Sequence, residues 1–591
     1  MFRNKLSCFL VFLIVFVILN NLLFLPVNIL SWDVFGYYLY LPLKFIYHDL
    51  NMYDDSIITA IMEQYNNTGT LYQALKLPEG GYVLKYPMGL AVLYAPFFFA
   101  GHIIALCSQY SADGFSAPYQ YSVFVGGILY SIAGLIVLAK LLKQYFNDKI
   151  VILVLLSIVF GTNYLLHITM YGQNAMSHNH LFLAYSLVIL LSVRWHKSHK
   201  IRDLIFLALT CGISVLSRPS EFVMLIIPLF WGVFNMTTLK AKLKLLYQYK
   251  GQMLLFVVIL ILCGLPQLLY WKMTTGKFIF YSYGGNAGEG FEFFSPFITQ
   301  VLFSFRKGWL VFTPLMAFSI LGFWFLYKKN REIFVSLFLY FIVNVYIVSS
   351  WSCWWYAQSF SQRALIPSYP VMAIAFGGFL FWIFSKGKLV KGIVLTIIGL
   401  LILLNIFQSW QFHKGIIHAD RMTKAYYCAV FGKTSAKPEY AELLLVNRAF
   451  EGMEHFDNED DYIEKSLYET DVVLSEPQMS SPMFEIPYSE ITQQDHAWIL
   501  VTADVLSDPE FIPEQFRLII HFSHNGYPYK HTVFSSEMLG IENGNRSKIR
   551  VAYLTPEVRK VSDHLSVYFE YTGPSEVRIN NMVIKAFEMK Q

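Results

Sequence analysis

Charge is what this sequence has least of. Only 14% of its 591 residues are Asp, Glu, Lys or Arg, while 55% are apolar and 17% aromatic, against about 25% charged residues in an ordinary soluble domain. That balance excludes a water-soluble globule. Many runs approach the roughly 20 apolar residues that span a bilayer core. Acids are scarcer still in the first 410 residues, which hold 13 of the 40. Residues 411–591 carry the other 27 and a net charge of −10, against +15 for the first part. Two materials are joined: a polytopic membrane portion and a tail with the composition of a soluble domain. The six cysteines, Cys8, Cys107, Cys211, Cys263, Cys353 and Cys428, show no CxxC or metal-ligand spacing and read as small core residues. Basic residues fall in short clusters between apolar runs rather than along one face, which gives no support to a nucleic-acid partner. No internal repeat is evident, which weighs against an inverted-repeat transporter.

The clusters that are present fix a topology. Arg3 and Lys5 precede a long apolar run without a small-residue cleavage site, so 1–30 reads as a retained first span with a cytoplasmic start. Further clusters at 140–149, 194–202, 240–250, 328–331 and 386–391 belong in the cytoplasm by the positive-inside rule. Consistent spans are roughly 6–30, 119–140, 150–167, 179–194, 203–217, 220–235, 252–272, 308–327, 332–350, 364–384 and 392–410, which leave the tail outside. Met88–Cys107 is apolar enough for a further crossing but would reverse every later loop. It reads as a re-entrant or surface-lying helix within a first outer loop, 31–118. On this topology no acid lies mid-span, unlike the ionisable group that a proton-coupled carrier keeps near the midplane. After a connecting segment, 411–433, short alternating runs at 497–505, 516–522, 548–554, 564–571 and 577–587 predict an extracytoplasmic β-sandwich over 434–591. Trp498, Tyr527 and Tyr529 are its candidate sugar-stacking aromatics, with a structural role equally open.

Asp33, directly after the first span and followed by Tyr37 and Tyr38, suits a general base whose pKa burial can raise, or a helix N-cap. Lys85 precedes Tyr86-Pro87, a stretch biased to extended backbone. Arg218 stands in Ser-Arg-Pro-Ser-Glu, where an ion pair with Glu221 is the simpler use. Arg306 and Lys307 either snorkel at a span end or bind substrate. Arg363 begins a span on the side the positive-inside rule disfavours. His178 and His180, two apart, do not share a helical face, so hydrogen bonding suits them better than chelation. Trp351, Trp354 and Trp355 fit an interfacial belt or a wall for a lipid tail or sugar.

The order of these motifs resembles the GT-C superfamily of membrane glycosyltransferases, in particular its protein-mannosyltransferase-like and aminoarabinose-transferase-like branch. The residues that carry it are Asp33 with Tyr37 and Tyr38, Lys85-Tyr86-Pro87-Met88-Gly89, Ser177-His178-Asn179-His180, Ser217-Arg218-Pro219, Arg306-Lys307-Gly308-Trp309 through Pro314, and Trp351-Ser352-Cys353-Trp354-Trp355 with Gln362-Arg363. The resemblance covers 1–410 and implies an all-α membrane domain of about 11–13 helices. It implies a polyprenyl-phosphate sugar donor, a lipid, glycan or protein acceptor, an inverting transfer, and a bacterial inner or plasma membrane setting. Asp33 would be the base. Tyr37, Tyr38, Lys85, Tyr86, His178, His180, Arg218, Arg306, Lys307 and Arg363 would bind substrate. Val34 and Leu84 stand where some relatives carry a second carboxylate, so metal-independent catalysis is the default expectation, and a divalent metal stays open through Asp54, Asp55 or Glu79. An O-antigen-ligase-like or polymerase-like transferase and a lipid-linked-sugar flippase are the rival readings.

Overall fold

The computed structural model describes residues 5–170, 173–283, 289–446, 456, 459–475, 479–542 and 544–590. Arg3 lies outside them. The chain divides into two compact units, one of residues 1–285 and 291–436 and the other of residues 286–290 and 437–591.

The first unit is that of an integral membrane protein. Helix α1 (Lys5–Leu23) is followed by short helices α2 (Trp32–Tyr38), α3 (Tyr40–Phe45) and α4 (Asp55–Tyr65), then by a hairpin of β1 (Ala74–Lys76) and β2 (Tyr82–Leu84). Next come α5 (Gly89–Leu106), α6 (Ala117–Leu142), α7 (Asp148–Phe160), α8 (Tyr164–Thr169), α9 (Ser177–Ser198) and α10 (Ile201–Ser217). The bundle continues with α11 (Ile226–Phe230), α12 (Met236–Gln248), α13 (Lys250–Thr275), α14 (Ile298–Phe303), α15 (Trp309–Phe312) and α16 (Met316–Lys329). It closes with α17 (Arg331–Ser349), α18 (Tyr369–Phe384), α19 (Lys388–His413) and α20 (Lys424–Val430). Among the described residues seven helices are long and apolar enough to cross a membrane, α5 among them.

Local chemistry explains where the helices depart from the expected spans. The first helix stops at Leu23, ahead of Pro26, instead of running to 30. The expected span 308–327 is broken into α15 and α16 around Pro314, which has no N–H to donate to a helix ladder. The expected 150–167 is broken between α7 and α8 at Gly161. The expected 220–235 is a 3₁₀ stretch, Pro219–Leu225, and the single turn and a half of α11.

Helix α5 lies antiparallel along the first half of α6. The Tyr130 hydroxyl donates to Leu93 O (3.0 Å), Gly126 faces the Phe97 ring, and Gly101 faces Pro118 and Tyr119. The start of α6 in turn sits beside the residues that follow α1, where Gln120 Oε1 accepts from the Ile29 N–H (2.8 Å). The chain therefore leaves α1 and enters α6 at the same end of the bundle, with α5 between them.

The basic clusters gather at the other end. Lys197 donates to Gln144 Oε1 (3.4 Å), Trp195 to Gln252 Oε1 (2.8 Å), and the Gly232 N–H to Glu332 O (2.9 Å). Phe325 stacks on Trp382 at 4.4 Å, and Phe146 packs on Gly377. One helical run, Arg363–Phe384, joins the two ends over about 30 Å, the thickness of a bilayer core.

The second unit is a sandwich of two four-stranded antiparallel sheets. With β3 (Tyr462–Leu474), β4 (Phe484–Pro487), β5 (Trp498–Ser507), β6 (Phe516–His524), β7 (Tyr527–Ser535), β8 (Arg546–Leu554), β9 (His564–Tyr571) and β10 (Val577–Met589), the orders are β3-β10-β5-β8 and β4-β9-β6-β7. Alternate residues such as Ile499, Val501, Leu518, Ile520, Val567 and Phe569 build its core, the period-2 pattern of a sheet with one buried face. Trp498 and Tyr529 are buried, and Tyr527 is exposed. Of the three proposed stacking aromatics only Tyr527 reaches the surface.

Candidate functional site

Asp33 occupies the first turn of α2, with Ser31 at the N-cap position, so it does not act as a helix cap. Its Oδ1 accepts from the hydroxyls of Tyr86 (2.8 Å) and Tyr72 (2.9 Å). Its Oδ2 accepts from Arg363 Nη2 (3.1 Å). Burial would push this carboxyl up, but the Arg363 guanidinium, the Tyr86 and Tyr72 hydroxyls and the Lys85 ammonium outweigh it and hold the group below its ordinary 3.8. The expectation of a raised pKa is thereby corrected: the partners decide, not the burial.

The hairpin places two of these donors. Its register pairs Ala74 with Leu84, and extending it by two residues sets Tyr72 opposite Tyr86. The Lys85 N–H donates to Gln73 O (2.8 Å), and Gln73 Nε2 donates to Trp32 O (3.2 Å), which ties the hairpin to α2. Gly36 lets the Tyr86 ring lie against that helix, since a Cβ there would stand 2.5 Å from Tyr86 Cδ2. Trp32, immediately before the carboxylate, has φ 50°, a region costly for a bulky residue. The hydrogen bond from its N–H to Asn67 O (2.9 Å) holds it there.

Arg363 is delivered by a second constrained stretch. Tyr356, Gln358 and Ser361 have φ of 43°, 50° and 56°. The turns are held by Gln362 Nε2 donating to Trp354 O (3.0 Å) and Asn163 Nδ2 donating to Phe360 O (3.2 Å). Left-handed conformations therefore lie close in sequence to both members of the Asp33–Arg363 pair.

Two further cations lie near the pair, Lys85 directly and Arg218 by way of Tyr37 and His178. Lys85 is buried, with its ammonium 4.9 Å from the Tyr283 ring, 5.6 Å from Tyr72 and 5.9 Å from Tyr86. Tyr283 packs edge-on to Trp351 (5.6 Å), so that tryptophan is part of the aromatic wall behind Lys85. Arg218 directly follows α10 as its C-cap, with Nε 3.8 Å from Glu221 Oε1 and Nη1 3.3 Å from His178 Nδ1. Its position depends on a close approach of helices: a Cβ on Gly89 would stand 2.2 Å from Ser217 N. The Tyr37 ring packs at a tilt on Tyr86, 4.5 Å between centroids, and lies within electrostatic reach of Asp33, Arg218 and Arg363. The structure thus brings together Asp33, Tyr37, Lys85, Tyr86, His178, Arg218 and Arg363.

Four expected residues do not join them. The Tyr38 hydroxyl donates to Gly114 O (2.5 Å) and its ring packs on Phe98 and Phe115, because consecutive helical residues face about 100° apart. His180 bonds Met176 O (3.0 Å) between Tyr94 and Tyr130, on a different face from His178. Arg306 donates from Nε to Asp420 O (2.7 Å) and lies over the Trp355 ring. Lys307 is 1% exposed and donates to Ser359 O and Ala419 O. Burial pulls its ammonium down to about 7 against the attraction of Asp420. Arg306 and Lys307 secure the segment after α19 rather than facing Asp33.

Tyr72 and Tyr283 were missed. Tyr72 was within reach of the sequence, because the turn Pro78-Glu79-Gly80-Gly81 between two short apolar runs signals a hairpin whose register leads to it. Tyr283 comes from a distant loop, and no local pattern marks it. Asp54 caps α4 by accepting from Ser56, and Asp55 accepts from the Tyr82 hydroxyl (3.5 Å). Among the described residues no three His, Cys, Asp or Glu side chains are grouped to hold a metal ion.

No family model and no curated protein matches the chain. Solved structures similar to it include ArnT from Cupriavidus metallidurans bound to undecaprenyl phosphate, at 11% identity and TM-score 0.39, over 65% of this chain and 61% of that one. The apo state of ArnT from the same organism matches at 12% identity and TM-score 0.41, over 73% and 66%. The chain spans less than two thirds of the length of either.

Proposed function

We propose that the protein is a membrane glycosyltransferase that moves a sugar from a polyprenyl-phosphate donor to a hydroxyl of a lipid, glycan or protein at the outer face. The observation that carries this reading is the ionised Asp33 carboxylate held by Tyr72, Tyr86 and Arg363, with Lys85 in electrostatic reach of it and Arg218 across Tyr37 from it. Asp33 accepts the acceptor's hydroxyl proton as its oxygen attacks the anomeric carbon. The bond from that carbon to the phosphate oxygen breaks, and polyprenyl phosphate leaves with the electron pair. Direct attack inverts the anomeric centre. Negative charge grows on the leaving phosphate, where Arg363, Lys85 and Arg218 stabilise it. A donor phosphate that draws Arg363 toward itself relieves the carboxylate of its strongest acidifying partner, and so strengthens the base when the donor is in place. The outer location is supported by the gathering of the basic clusters at the opposite end of the bundle. On the same topology the β-sandwich is extracytoplasmic.

Single-turnover transfer in membranes from a panel of radiolabelled polyprenyl-phosphate sugars tests this reading, with wild type and Asp33→Asn at matched expression. Loss of transfer by more than a hundredfold with donor still bound is expected, since general-base catalysis contributes about 10²–10⁴. Equal transfer by both proteins removes Asp33 as the base. Transfer of whole glycans alone points to a ligase, and movement of donor across the membrane without bond cleavage to a flippase.

A further inference from the structure

At the end of the bundle opposite Asp33 lies a cavity of about 160 Å³. Lys328 and Lys329 from the end of α16, Phe381, Trp382 and Ser385 from the end of α18, and Tyr145 from the turn between α6 and α7 line it. It is smaller than the ~300–1,000 Å³ of a site that encloses a whole drug-sized molecule, so it fits a head group better than a complete ligand.

The charge around it is of one dominant sign. The ammonium groups of Lys328 and Lys329 lie over the Trp324 and Phe381 rings, and that of Lys386 is 4.6 Å from the Trp382 ring. Among the described residues none of the three has a carboxylate partner within 4.0 Å. Glu332 lies within electrostatic reach of Tyr145. Lysines packed on aromatic faces keep their stems ordered and leave ammonium protons available to an anion.

The surroundings indicate which anion. Trp324, Tyr327 and Phe381 are exposed, and Trp382 is half-buried beside them. The amphipathic rings of Trp324, Tyr327 and Trp382 mark the head-group level of a bilayer, and basic recesses between helices at that level bind lipid head groups. A free phosphate has no use for the aromatic rim.

We propose that this cavity binds the phosphate head group of an anionic phospholipid, with Lys328, Lys329 and Lys386 as its cations and the acyl chains outside against the exposed rings. The site is separate from the Asp33 cluster and does not depend on the function assigned there.

The test is native mass spectrometry of the detergent-purified full chain titrated with phosphatidylglycerol, with phosphatidylcholine, and with inorganic phosphate as competitor. Wild type is expected to retain one phosphatidylglycerol at least tenfold more tightly than phosphatidylcholine, undisplaced by millimolar phosphate. K328Q/K329Q/K386Q together are expected to lose that preference. Ser385→Trp, which puts a large side chain in the cavity wall and leaves the lysines, is expected to lose it as well and covers the case in which the triple variant fails to fold. Unchanged preference in a folded triple variant or in Ser385→Trp overturns the proposal. Displacement by inorganic phosphate also overturns it, by making the site one for a free anion.

Discussion

At the scale of single residues, the carboxylate of Asp33 is governed by its partners. Its pKa is depressed, so the group is ionised above that depressed value and gains its proton only as the pH falls below the ordinary 3.8. The acid limb of kcat/KM is accordingly expected below that value in the wild type. Tyr72→Phe removes one hydrogen bond to the charged form, worth about 1.5–3 kcal/mol, and the limb is expected to rise by roughly one to two pH units. A pH–rate profile of the variant measures this, and an unmoved limb would separate Asp33 from the rate. Gly36→Ala is expected to cut transfer at least tenfold with little change in the amount of folded protein, because the new Cβ displaces the Tyr86 ring and with it a donor to Asp33. Lys307 illustrates a limit of reading single residues: a lysine in a basic motif looks like a phosphate ligand, yet its protons go to Ser359 O and Ala419 O. Lys307→Met is therefore expected to lower the melting temperature, by about 1–3 kcal/mol of stability for the orphaned carbonyls, with donor affinity retained in a binding assay.

At the scale of elements, the site depends on contacts without side-chain room. Helix α5 meets the end of α10 at Gly89, where a Cβ would stand 2.2 Å from backbone. Gly89→Val is expected to force the two apart, cost about 1–3 kcal/mol in overpacking, and weaken donor binding by shifting Arg218, which directly follows α10. Thermal melting together with a donor titration would reveal both effects. The hairpin of β1 and β2 is the other element that matters, since its register turns two distant letters, Tyr72 and Tyr86, into a pair on one carboxylate oxygen. Strands of the sandwich were readable because alternation is local, and β5, β6, β8, β9 and β10 fall within two residues of the runs expected for them. The edge strands β3, β4 and β7 were not anticipated. Strand β7 carries mostly polar, exposed residues, which leaves no alternation to read.

At the scale of the whole molecule, the two ends of the bundle differ in charge. Topology predicts that a cysteine replacing Glu79 reacts with an impermeant maleimide in intact cells, and that one replacing Gly387 reacts only after the membrane is opened. The accessible thiols of Cys8, Cys107 and Cys428 would be replaced by alanine first. Equal labelling of both positions in intact cells would refute the sidedness on which the outer-face reading depends.

Composition and charge clusters determined by themselves that this is a membrane chain with a soluble tail, because solvent preference is a sum over residues and needs no contacts, and local alternation made that tail β-rich. Motif order likewise singled out Asp33, Lys85, Arg218 and Arg363 before any fold was known. Tertiary structure alone decided that Arg363 pairs with Asp33 across 330 residues, that Tyr72 and Tyr283 belong to the site, and that Tyr38, His180, Arg306 and Lys307 do not face it. The reason is physical: a side chain's direction and partners are set by backbone turns and by elements far away in the chain. Spacing along a sequence records neither.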